Sequence, residues 1–186
     1  MKNVPHQPKL ISNYLHFYLG APCKTDDGKY GRFAGLDLCQ NNNSITMLTV
    51  RYSDNIDDPE ASFDVYNDNH ELDRIKLLLY PMVEITTEDA LTVARLATGN
   101  VVDSITRIDR TETIDRVEIF CNNTSEKIDI RPNSIEWMEK TKNWVYLPAY
   151  NYAEIVRFLT SKQYDVFGLL KDGLAIKIRK AENLKS

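Results

Sequence analysis

From Asn13 to Tyr80 the chain alternates apolar and polar positions in short runs broken by turn residues, the period expected of half-buried strands. Leu15 to Leu19 is the first such run. Pro22–Lys24 and Tyr30–Leu38 flank Thr25-Asp26-Asp27-Gly28, and an Asp-Gly pair predicts a hairpin because glycine takes positive φ without a steric cost. Alternation along the second of these strands places Tyr30 and Arg32 on one face and turns Phe33 inward. Gly31 and Gly35 predict bulges or bends. The polar run Gln40–Ser44 reads as a loop, and Ile45–Tyr52, rich in β-branched residues, as a strand. An acidic loop, Asp54 to Glu60, leads to a short strand at Phe63–Tyr66. Ile75–Tyr80 is then closed by Pro81. Short strands at this spacing predict a small, curved barrel of the SH3-like type.

The period then changes. Thr86 is placed to cap a helix, with Asp89 at its third position and Ile85 and Ala90 as a hydrophobic staple. Leu91, Ala94 and Ala97 form its apolar face, and Gly99 its end. Val117, Ile119 and Cys121, then Ile128 and Ile130 across a polar turn, predict a hairpin with one buried face. A second helix is predicted from Asn151, with Asn151 as cap, Glu154 reaching back, and Tyr152, Ile155, Val156 and Leu159 buried. Phe167–Leu170 reads as a short helical turn, and Asp172-Gly173 turns the chain into Leu174-Ala175-Ile176. The fold class is α+β. Residues 1–12 read as a loose leader and 13–84 as a β-rich, barrel-like part. That part packs on 85–178, a hairpin with helices, and 179–186 is a basic tail.

Composition narrows the function classes. With 42% apolar and 27% charged residues the chain is an ordinary globular protein. A net charge of -4 excludes a wholly basic nucleic-acid coat but leaves room for a local patch. The three cysteines are too few and too widely spaced for a disulfide framework and fit a reducing compartment. The N-terminal stretch is interrupted by Pro5, His6, Gln7, Pro8 and Lys9, so no secretory leader is expected. No apolar run is long enough to cross a membrane as a helix.

Three stretches together carry a resemblance: NYLHFYLGAPCKTDDGK from Asn13, LYPMVEITTEDA from Leu79, and YNYAEIVRFLTSKQYDVFGLLKDGLAI from Tyr150. In this order they resemble a family of small uncharacterised proteins carried by phages and prophages of Bacteroides-type gut bacteria. The last stretch is the most specific. The middle one departs at Tyr80–Glu84, where relatives carry an Arg-Pro-Leu-Ser-Asp-like sequence. The resemblance implies a phage-type protein acting in a bacterial host cytoplasm. It carries no activity and no catalytic residue.

Candidate chemistry is sparse. No close pair of metal ligands occurs, and Cys23, Cys39 and His16 read more simply as two buried hydrophobes and a surface imidazole. Cys23 with His16 is the only close nucleophile–base pair, and neither precedes a helix start. No phosphate-cradling glycine motif appears, and the acidic stretch lacks the glycine of a calcium loop. Neither a cofactor, a metal nor a catalytic set is therefore assigned. Two surfaces stand out. Lys24, Lys29, Tyr30 and Arg32 combine basic and aromatic side chains around one hairpin, a combination that binds nucleic-acid strands. Trp137, Trp144 and Tyr146 are an aromatic group that either seals an internal joint or marks a protein interface. The expectation is a non-enzymatic accessory protein whose partner is a host or phage protein. A nucleic-acid-binding module is the alternative, and an enzyme using Cys-based chemistry the weakest reading.

Overall fold

The computed structural model describes residues 13–38, 45–52, 66–70, 74–99, 102–122, 127–138, 144–146 and 149–179. The chain divides into two compact units. Met1–Leu78 with Lys171–Ile176 form the first, and Leu79–Leu170 with Lys177–Ser186 the second.

The first unit is built on an open sheet. Its strands are β1 (Pro22–Thr25), β2 (Tyr30–Leu38), β3 (Ile45–Tyr52), β4 (Tyr66–His70) and β5 (Ile75–Leu79), joined by β11 (Ala175–Lys177) from the far end of the chain. The strand order is β11-β5-β1-β2-β3-β4. β1/β2, β1/β5, β2/β3 and β3/β4 pair antiparallel. Because β11 and β4 are edges, the described strands do not close into the SH3-like barrel that the strand spacing predicts. Closure needs a strand pair that local alternation cannot specify. One face of the sheet is apolar: Cys23, Phe33, Val50 and Leu77 are fully buried, and Tyr52 and Ile75 nearly so. Burial of each large side chain contributes about 1.5–3 kcal/mol. Gly31 belongs to this face because a Cβ there would lie 2.3 Å from Val50 Cγ1 and 3.0 Å from the Arg51 carbonyl. The predicted Asp-Gly turn is present, with Gly28 at φ 90. Leu15–Tyr18 is a 3-10 turn rather than a strand. It buries Leu15 and Tyr18, whose spacing suits one helical turn better than the two-residue repeat of a strand. The predicted acidic loop at 54–60 lies outside the described residues, as does nearly all of the predicted strand at Phe63–Tyr66. The strand observed there begins at Tyr66.

The second unit pairs a five-stranded sheet with two helices. α1 spans Thr87–Thr98 and α2 spans Ala149–Ser161. The strands are β6 (Ile105–Thr111), β7 (Arg116–Cys121), β8 (Lys127–Arg131), β9 (Ser134–Met138) and β10 (Trp144–Tyr146), in the order β10-β9-β8-β7-β6. Every pairing is antiparallel. The chain is thus α+β, as its sequence predicts. The Thr86 hydroxyl accepts the Asp89 N–H and caps α1, and Gly99 ends the helix at φ 69. Val93, Ala94 and Ala97 of α1 join Val117, Ile119, Ile128, Ile130, Ile155 and Leu159 in one core. α2 starts two residues earlier than its predicted cap. Asn151 is inside the helix, where its Nδ2 donates to the Ala97 carbonyl at 3.2 Å. Phe167–Leu170 is a turn rather than helix, with Gly168 at φ 72. The buried Asp165 carboxylate organises it by accepting the Leu169 and Leu170 N–H groups at 2.8 and 2.9 Å.

The other face of this sheet is a lattice of charge. Asp109, Glu118, Asp129 and Glu136 lie directly opposite one another across four strands. Like charges in register repel, and cations on the flanking rungs offset this. Arg116 donates through Nε to Asp129 Oδ2 at 2.9 Å and through Nη2 to Glu118 at 3.1 Å. Lys127 pairs with Glu118, and Arg131 with Glu136 at 3.0 Å. Asp129 is only 2% exposed, and its Oδ1 has no partner among the described residues.

Candidate nucleic-acid interface

The hairpin residues singled out from the sequence lie on the outer side of the first sheet. Their burial follows from alternation: Cys23 and Thr25 go inward, leaving Lys24 half-buried on the other face. Likewise Gly31 and Phe33 go inward and Tyr30 and Arg32 outward. Lys24 and Tyr30 are cross-strand partners, and the Lys24 ammonium sits 4.9 Å from the Tyr30 ring centroid, a cation–π contact. Arg32 donates through Nη1 to the Gly20 carbonyl at 3.1 Å, which fixes the side chain across the sheet surface.

Register adds two cations that the hairpin alone does not reveal. Lys76 of β5 lies opposite Lys24, and Arg51 of β3 lies opposite Arg32. Both side chains are exposed. One rung therefore reads Lys76-Lys24-Tyr30 and the next Pro22-Arg32-Arg51-Asn67. Among the described residues neither run of partners includes a carboxylate. Strands lie about 4.8 Å apart, and same-face residues two positions apart lie about 7 Å apart. The four cations thus occupy adjoining positions on one side of the sheet, in a chain of net charge -4.

Lys29 stands apart from the two rungs. It occupies the turn, where its ammonium is 2.8 Å from Asp27. Hydrogen bonds from Lys29 and then Thr25 hold the Asp27 carboxyl at about 2, below its ordinary range. The Lys29 charge is thereby offset locally. Trp137 and Trp144 fall on β9 and β10, in register with Val145 and Met138, and Tyr146 faces Glu136. The side chains of this aromatic group lie outside the described residues.

Cysteine chemistry finds no support at Cys23. The thiol is fully buried, and desolvation pushes it up to about 12 against the opposing pull of the Arg32 charge. His16 is exposed and stacks on Phe17 at 4.0 Å. Cys121 is a second buried cysteine, and Cys39 lies outside the described residues. Among the described residues no group of three His, Cys, Asp or Glu side chains could hold a metal ion, and no helix is long and apolar enough to cross a membrane.

Compared with known proteins, the chain matches no family model, no curated protein and no solved structure.

Proposed function

We propose that this protein is a non-catalytic, phage-type accessory factor that binds a macromolecule, and that the macromolecule is single-stranded nucleic acid held on the outer face of the first sheet. One observation carries the reading: Lys24, Lys76, Arg32 and Arg51 occupy adjoining positions on two neighbouring rungs, with Tyr30 among them. Phosphates running along the strands, from one rung to the next, would meet cations at a spacing of about 7 Å. Tyr30 supplies a ring on which a base of any identity can stack. Among the described residues the first sheet presents no helix to a major groove, which favours a single strand over a duplex. The sequence resemblance supplies the phage context and the bacterial cytoplasm.

The test is fluorescence anisotropy with a labelled oligothymidine and a duplex of equal length. Engagement of four phosphates predicts a slope of log K against log salt near about -3 for the single strand. Lys24→Glu with Arg32→Glu should weaken binding by at least about tenfold and flatten that slope. Tyr30→Ala should cost about 1–3 kcal/mol on single strands, whereas Tyr30→Phe should bind like wild type. Salt-independent binding, or a charge-reversed variant that binds normally, overturns the proposal. Co-purification of a host or phage protein that persists after nuclease treatment would assign the patch to a protein partner instead.

A further inference from the structure

The second unit holds a cleft of about 620 Å³, within the size range of small-molecule sites. Val83 and Ile85 give it an apolar side. Arg110, Lys177 and Arg179 bring three cations to it, and Glu84 and Glu112 two carboxylates. These do not all pair off. Lys177 lies 3.7 Å from Glu84, and the two charges offset each other. Arg110 instead donates through Nε to the Val83 carbonyl and through Nη2 to the Ile85 carbonyl, both at 2.9 Å. Neutral carbonyls fix that guanidinium without cancelling its charge. The other side of the same turn is fastened as well, because Asp115 accepts the Val83 N–H at 2.9 Å. Arg179 is exposed and has no hydrogen-bond or ionic partner among the described residues.

We infer that this cleft is a binding site for a small phosphorylated molecule, its phosphate held between Arg110 and Arg179 and its organic part against Val83 and Ile85. Guanidinium groups match phosphate oxygens in fork geometry, and one already immobilised loses little further entropy on binding. Three cations against two carboxylates leave the cleft net positive, and two guanidinium forks suit the oxygens of a phosphate monoester better than those of a single carboxylate. Glu84 and Glu112 border the site and disfavour longer polyphosphates by repulsion. None of the residues that line it is Lys24, Tyr30, Arg32, Arg51 or Lys76.

Titration of the intact protein with inorganic phosphate, a nucleoside monophosphate and the unphosphorylated nucleoside, read by amide NMR shifts, tests the assignment. Phosphate and the monophosphate should shift Val83–Ile85 and Glu112, and the nucleoside should not. Arg179→Gln removes no hydrogen bond or ion pair among the described residues and should keep the fold while weakening monophosphate binding by about tenfold or more. Arg110→Lys should weaken it similarly, and its own unligated spectrum checks folding. The inference is overturned if no phosphate shifts these amides, or if Arg179→Gln and Arg110→Lys bind as wild type. It is also overturned if monophosphate binding disappears in Lys24→Glu with Arg32→Glu. That result would assign the phosphate to the first unit.

Discussion

The Tyr164 hydroxyl donates a 2.7 Å hydrogen bond to Asp89 Oδ2 inside the second unit, and the tyrosine oxygen itself accepts the Thr86 N–H at 3.2 Å. The segment after α2 is thus tied to the cap and first turn of α1. Tyr164 is fully buried and Asp89 nearly so, so the bond satisfies groups that water reaches poorly. Tyr164→Phe should destabilise the protein by roughly 1–3 kcal/mol, read as a lower urea midpoint at unchanged slope.

The same residue predicts an alkaline limb. Desolvation first, then the Asp89 hydrogen bond, raises the Tyr164 hydroxyl above its ordinary value of 10.0. A group whose folded pKa is raised contributes its full stabilisation below the unfolded value and loses it as pH rises further. Stability should therefore fall above about pH 10, and more steeply in wild type than in Tyr164→Phe. Equal slopes in the two proteins would show that other groups control that limb.

Gly31→Ala should be costly although alanine is small. The added carbon would meet Val50 Cγ1 at 2.3 Å and the Arg51 carbonyl at 3.0 Å, and backbone cannot yield as a flexible side chain does. Overpacking of this kind costs about 1–3 kcal/mol, measurable as a lowered thermal midpoint. Gly28→Ala should also destabilise, but through positive φ alone, since nothing lies within 4 Å of its added carbon.

Cys23 should resist alkylation. In a timed iodoacetamide reaction at pH 8, read by peptide mass spectrometry, its labelling should be at least about tenfold slower in the folded protein than in urea. Rapid native labelling would mean that the β1 region opens readily, or that the thiol is not the core atom described above.

Arg116→Ala removes the hydrogen-bonded cation from the buried Asp129 carboxylate. An exposed ion pair would lose little, but Asp129 is 2% exposed. A loss of roughly 1–3 kcal/mol is expected, and Arg116→Ala with Asp129→Asn should recover part of it in a double-mutant cycle.

Local signals were legible where they act locally. Thr86, Gly99 and the Asp27-Gly28 turn could be placed from neighbouring residues because caps and turns are settled within a few positions. The ends of α2 were harder: Asn151 has the chemistry of a cap, yet tertiary contact draws its amide to Ala97, a distant residue. β6, β9 and β10 do not follow from the sequence pattern. β6 mixes Ile105 and Ile108 with Thr106, Arg107, Asp109 and Arg110, so its period is blurred at an edge of the sheet. Within the candidate interface, Lys24, Tyr30 and Arg32 follow from the hairpin. Lys76 and Arg51 required knowing that β5 pairs with β1 and β3 with β2. The pairing of β5 with β1 is long-range, and alternation reports which residues share a face but not which strand lies alongside.

Pro132 and Asn133 form the two-residue turn between β8 and β9, and Asn133 has φ 66. Its N–H donates to the Val166 carbonyl at 2.7 Å. An amide at a surface bend ordinarily trades its proton with solvent quickly; this one is moored to the chain just beyond α2. Its deuterium uptake therefore becomes a gauge of how often that mooring slips, reported from a site that otherwise looks peripheral.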